Sequence, residues 1–152
     1  AQDHIPLMIG GGAQKILTLA GQKADIVSFN FNNSAGKLGA SSVASATEDE
    51  TLQKIQWVKD AAGARFAELE LEIGAYFISV TDDRQAAADA LGGRFGVSGD
   101  AILAHPHALI GSVEQICETL EERRARLGVS YFCVAQRHLD EFAPVVQRLT
   151  GK

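Results

Sequence analysis

Ile5-Pro6-Leu7-Met8-Ile9-Gly10-Gly11-Gly12-Ala13, running directly into Gln14-Lys15-Ile16-Leu17-Thr18-Leu19-Ala20, is the stretch whose reading decides the fold. A short apolar run bounded by Pro and Gly predicts a buried strand. Ile16, Leu19 and Ala20 then recur at helical spacing. Between the two, three glycines leave the backbone bare where a strand hands over to a helix. Amides at a helix start are unpaired and partly positive, so such a junction suits a phosphate or another anion. The competing reading is a tight turn and nothing more. A P-loop would close with Gly-Lys-Ser/Thr, and no such triplet follows Gly12. The dinucleotide fingerprint needs a third glycine where Lys15 stands. Both of those loops fail.

The bulk numbers narrow the class. At 152 residues the chain is one domain, 1–152, with room for a core. An apolar share of 46% and a charged share of 22% suit a soluble globular protein. A net charge of −5 argues against nucleic acid and against anionic membrane as partners. There is no run of membrane-spanning length and no signal-peptide pattern at the start. Cys117 and Cys133 fall in a helical and a strand pattern, without metal or redox spacing. They read as lone buried thiols and favour a cytoplasmic location.

In chain order, Ala24-Asp25-Ile26-Val27-Ser28-Phe29-Asn30 predicts a second strand. The connection to it is too long for a hairpin, so the two should be parallel. Phe31–Ala46, rich in Asn, Ser, Gly and Ala, reads as a long loop of the kind that carries function. Glu48-Asp49-Glu50 heads a helix with the stripe Leu52, Ile55, Val58 and Ala62, ended by Gly63. Arg65–Val80 contains a third strand. Its alternating Glu68, Glu70 and Glu72 read as a solvated face rather than a catalytic row. Thr81-Asp82-Asp83 caps a helix from Arg84 to about Leu91, broken by Gly92-Gly93. Phe95–Leu109 is irregular or short-helical. Its His105-Pro106-His107 reads as a turn, with no further ligands near enough for a metal. From Leu109 the pattern turns helical, with Ser112 and Gln115 as a capping box and Gly128 as the stop. Tyr131–Ala135 is the fourth strand, and Leu139–Leu149 a last helix that tolerates Pro144 near its start.

Four strands, each followed by helix, make an α/β chain of (βα)4 type with parallel strands: half of a TIM (β/α)8 barrel. A strand, a small-residue turn and a helix also fit a barrel phosphate site. A full barrel needs about 250 residues, and half of one leaves two parallel edges and a sheet face bare. The chain is therefore expected to pair with a copy of itself as a homodimer, or with a missing N-terminal half. The lack of an initiator Met fits a partial product.

Pro6-Leu7-Met8-Ile9-Gly10-Gly11-Gly12, the helix ending at Ala24-Asp25, Leu109-Ile110-Gly111-Ser112-Val113-Glu114-Gln115-Ile116 and Gly128-Val129-Ser130-Tyr131-Phe132 carry a resemblance. They resemble the C-terminal half of the luciferase-like monooxygenase superfamily, and within it the branch of coenzyme F420-dependent oxidoreductases. The resemblance runs nearly end to end here and covers about half of a family member. It implies the fifth to eighth strands of a bacterial luciferase-like barrel. It also implies that Gly10, Gly11, Gly12 and Ala13 set main-chain amides on the cofactor phosphate, helped by Ser28 and Asn30 from the next strand. Ala13 stands where relatives carry another glycine.

The activity implied is hydride transfer between F420, or alternatively FMN, and a small organic substrate. The ring chemistry would belong to the cofactor, and the protein would supply orientation and electrostatics. The residues around the reactive ring would come mostly from strands outside this chain, so no catalytic residue and no metal ligand are assigned. The alternative is a non-catalytic half-barrel that dimerises and binds a phosphorylated ligand or none.

Overall fold

The computed structural model describes residues 3–33, 36 and 39–151. The chain runs β1 (Met8–Gly11), α1 (Gln14–Lys23), β2 (Ile26–Phe29), α2 (Ala40–Ala44), α3 (Glu48–Ala62) and a 3₁₀ segment (Gly63–Glu68). It continues through β3 (Glu70–Ala75), β4 (Phe77–Val80), α4 (Arg84–Phe95), α5 (Gly99–Leu103) and β5 (Ala108–Gly111). It ends with α6 (Val113–Leu127), β6 (Tyr131–Val134), a 3₁₀ turn (Gln136–His138) and α7 (Leu139–Leu149).

Alternation along the strands decides the layers. β1, β2, β3 and β6 form one parallel sheet in that order. Ile9, Val27, Phe29, Leu71, Ile73 and Phe132 share its outer face and pack with Leu17 and Ala20 of α1, Val58 of α3 and Leu127 of α6. The strand register puts the other residues in rows on the inner face: Met8–Ile26–Glu70, then Gly10–Ser28–Glu72–Tyr131, then Gly74–Cys133. Met8, Gly10, Glu70 and Cys133 are exposed there, so no helix among the described residues covers this face. A parallel sheet that stands alone is normally covered on both sides. The all-parallel half-barrel expected from the sequence is the fold observed.

Four details differ from the expectation. The third strand does not run through to Val80. It breaks at Tyr76, because the Tyr76 and Phe77 amides both donate to the His107 carbonyl (3.0 and 3.1 Å) and draw the chain out of the main sheet. The residues read as a helix start, Leu109–Gly111, belong to β5, which pairs in parallel with β4 as a second sheet. A run of four residues is too short to show a period. α4 passes through Gly92-Gly93 to Phe95, and Gly92 is there because a β-carbon would lie 2.5 Å from the Val97 carbonyl oxygen. The loop predicted over Phe31–Ala46 contains the short helix α2, while Ser34, Ala35, Lys37 and Leu38 lie outside the described residues.

The inserted unit, β4 through β5, is tied down by buried polar groups. Arg123 of α6, read from sequence as part of a solvated charge run, is 8% exposed. Its guanidinium donates to the carbonyls of Pro106 and His105, both at 2.9 Å. Burial holds it down to about 10, still a cation at neutral pH. Replacing Arg123 with Met strands two buried carbonyls, so Arg123→Met should lose about 2–5 kcal/mol of stability, read as a lower urea midpoint.

Candidate functional site

The β1–α1 corner opens at the carboxyl ends of the strands, where ligands of parallel α/β folds bind. Ala13 is the residue before α1, extended (φ −114°, ψ 150°) and without a side-chain cap, and the first turn carries no acid. Uncapped amides of that kind accept an anion. The three glycines divide into two roles. A β-carbon on Gly11 would lie 2.2 Å from Ile16 Cγ2, and one on Gly12 would lie 2.2 Å from the Phe31 carbonyl oxygen. Both are therefore required by close approach within the chain itself. Gly10 alone of the three faces inward, toward the Asn30 amide (3.0 Å) and Ser28 (3.1 Å).

Ser28 and Asn30 come to the same place. Ser28 is buried on the inner face beside Gly10. Asn30 Nδ2 donates to Ser28 Oγ at 3.2 Å, and the Asn30 amide N–H donates to the Gly11 carbonyl at 3.0 Å. Tyr76, just past β3, donates its hydroxyl to Asn30 Oδ1 at 2.6 Å. Burial raises the pKa of that phenol, which keeps it a donor. Beneath the loop, Lys54 of α3 is 2% exposed and donates to the Asn30 and Ser45 carbonyls at 2.8 and 2.7 Å. Burial pushes Lys54 down to about 8.

Tyr76 is itself backed by rings. It stacks on His107 (centroids 5.3 Å apart, planes at 25°) and lies 5.1 Å from Phe31. His107 Nδ1 bonds the Gly74 carbonyl at 2.8 Å, and His105 Nε2 bonds the Val43 carbonyl at 3.0 Å. The His-Pro-His turn read from sequence thus joins three segments: the end of β3, the loop after β2, and α6 through Arg123. Among the described residues no group of His, Cys, Asp or Glu is arranged to hold a metal ion. Ser28, Asn30, Glu72, Gly74, Tyr76 and Cys133 line an open cleft of about 260 Å³ on the inner face.

Solved structures with a similar fold include two F420-dependent enzymes and a riboflavin lyase. The chain aligns with coenzyme F420-dependent tetrahydromethanopterin reductase from Methanopyrus kandleri at TM-score 0.54 and 16% identity, over 86% of this chain and 44% of that one. It aligns with an F420-dependent secondary alcohol dehydrogenase in complex with an F420–acetone adduct at 0.59 and 19%, over 96% and 49%. With a riboflavin lyase carrying modified FMN and its substrate riboflavin the values are 0.59 and 10%, over 97% and 44%. The fold is one half of a luciferase-like barrel. No family model and no curated protein sequence matches the chain. The half-barrel spans less than half the length of each of those structures.

In this half-barrel the structure brings Gly10, Ser28 and Asn30 together on the inner face, with Gly11, Gly12 and Ala13 forming the corner beside them. Sequence reasoning missed Tyr76, Lys54 and Glu72. Glu72 was placed on a solvated face, and it is 3% exposed, in one row with Ser28. Cys133, read as buried, is exposed on the same inner face. Tyr76 and Lys54 carried no sequence signal beyond their positions.

Burial holds both histidines neutral, His105 down to about 4 and His107 to about 3. An unfolded histidine takes its proton near pH ~6.5. Below that pH the unfolded chain binds protons that the fold refuses, so stability should fall as pH drops from about 6.5 toward about 4. Urea midpoints measured at about pH 7, 6 and 5 should decline in that order.

Proposed function

We propose that this half-barrel supplies the cofactor-phosphate site of an oxidoreductase that moves hydride between coenzyme F420 and a small organic substrate, FMN being the alternative cofactor. The observation that carries the reading is the uncapped β1–α1 corner opening beside an uncovered polar sheet face, with Gly10, Ser28 and Asn30 at the boundary. The phosphate would take main-chain amides of Gly12, Ala13 and the first turn of α1. Ser28 and Asn30 would meet the adjoining chain oxygens. Two of the structural neighbours are named for F420 and the third is a riboflavin lyase with modified FMN, which supports the choice of cofactors. When bound, the cofactor ring supplies the redox chemistry. The residues of this chain bind and orient it, and keep one wall of the barrel dry.

The second half of the barrel is the partner this reading requires. Both sheet edges display apolar side chains: Ile5, Leu7, Met8 and Leu19 beside β1, and Leu139 and Val146 on α7 beyond β6. A groove of about 520 Å³ between α6 and α7, lined by Leu120, Val129, Phe132, Phe142 and Val146, lies at the β6 edge. Such surfaces suit another half-barrel, separate in chain or joined to this one. Those same edges also favour the second reading, a non-catalytic homodimer. Light scattering that gives the mass of two chains, with no response to either cofactor, would favour that reading.

Titration with F420 and with FMN tests the first reading by cofactor fluorescence. Saturable binding is expected for one of them, and no binding of either would overturn it. Gly10→Val places a side chain over Ser28 and Asn30 while sparing the Gly11 and Gly12 contacts. It should weaken binding about tenfold, about 1.4 kcal/mol.

A further inference from the structure

Among the described residues Glu72 is the one carboxylate lining the cleft, and the proposed phosphate site does not use it. Its side chain is 3% exposed and lines the cleft with Ser28, Asn30, Tyr76 and Cys133. Among the described residues its carboxylate has no hydrogen-bond or ion-pair partner. A carboxylate withdrawn from bulk water and without protein donors takes its hydrogen bonds from whatever fills the cleft it lines. Ser28 and Tyr131 are its neighbours in register, and the opening it meets is the cleft it lines. We propose that Glu72 receives hydrogen bonds from hydroxyl groups of the bound ligand, the polyol chain that joins phosphate to ring.

The chemistry narrows which part of such a ligand meets Glu72. A phosphate over Glu72 would set two anions side by side, which Coulomb repulsion disfavours. A hydrocarbon there would leave the carboxylate with no donor at all. Hydroxyl groups satisfy it. The spacing agrees, because β3 stands two strands from β1, about 10 Å across the sheet, the reach of a ribityl chain from a phosphate at the β1–α1 corner. Tyr76 marks the far wall. It is 45% exposed, is held by its bond to Asn30, and rests against His107 and Phe31.

This inference rests on the cofactor reading, and the test separates the two. Wild type and Glu72→Gln are titrated with FMN, with F420 and with lumiflavin, which keeps the flavin ring and lacks both hydroxyls and phosphate. The expected result is an affinity loss of about tenfold for whichever of FMN or F420 the wild type binds, with lumiflavin binding unchanged. An unchanged affinity for that cofactor overturns the role of Glu72 and leaves the phosphate site standing. An equal loss for lumiflavin also overturns it, since the effect would then be structural. A wild type that binds neither cofactor overturns the function and this inference together. Should Glu72→Gln fail to fold, Glu72→Asp keeps the charge, withdraws it by one carbon, and is read by the same comparison.

Discussion

A parallel sheet has two faces to keep from water, and the one built here from β1, β2, β3 and β6 has helices on only one of them. The rest of the molecule follows from that imbalance. The covered face is a conventional core of Leu17, Val27, Phe29, Val58 and Ile73, each of them at most 1% exposed. The open face is mostly polar, with Ser28, Glu70, Glu72, Tyr131 and Cys133 in its rows and the apolar Met8 and Ile26 confined to one end. Polar side chains in rows on the concave side of parallel strands are what a barrel interior needs where it meets a ligand rather than another core layer. Structure and candidate chemistry thus share one cause.

The second organising element is the set of buried polar ties around the inserted unit. Lys54, His105, His107 and Arg123 all reach main-chain carbonyls rather than one another's side chains. Such bonds fix segments that have little regular structure of their own, at the cost of burying charge. Their product is positional. The loop after β2, the end of β3 and the turn before β5 are pinned within one aromatic cluster of Phe31, Tyr76, Phe77 and the two histidines. Asn30 and Tyr76 are the members of this assembly that reach the cleft.

Legibility in the sequence tracked the length scale of the signal. The β1–α1 corner, the capping box at Ser112 and Gln115, and the stop at Gly128 are local and were read from neighbouring residues. The parallel order followed from connection lengths. The β4–β5 pair was not legible, because its strands are four residues each and their pairing depends on His107, some thirty positions beyond the break. Glu72 was misplaced because alternation tells which residues share a face but not which face is dry. Gly11 and Gly12 looked alike on paper. Only the folded chain separates a glycine demanded by Ile16 from one demanded by the Phe31 carbonyl, and both from Gly10, whose bare surface looks to the inner face.

The wedge between Gly12 and the Phe31–Asn32 peptide has a mechanical consequence. With backbone against backbone there is no side chain to rotate out of the way, so the first βα loop and the segment leaving β2 move as one solid piece. Phe31 carries that linkage into the ring cluster and so to the turn that seats the inserted unit. Sequence drift in any one of these three segments is thereby constrained by the other two. An anion settling at the first corner would stiffen a region reaching as far as β5.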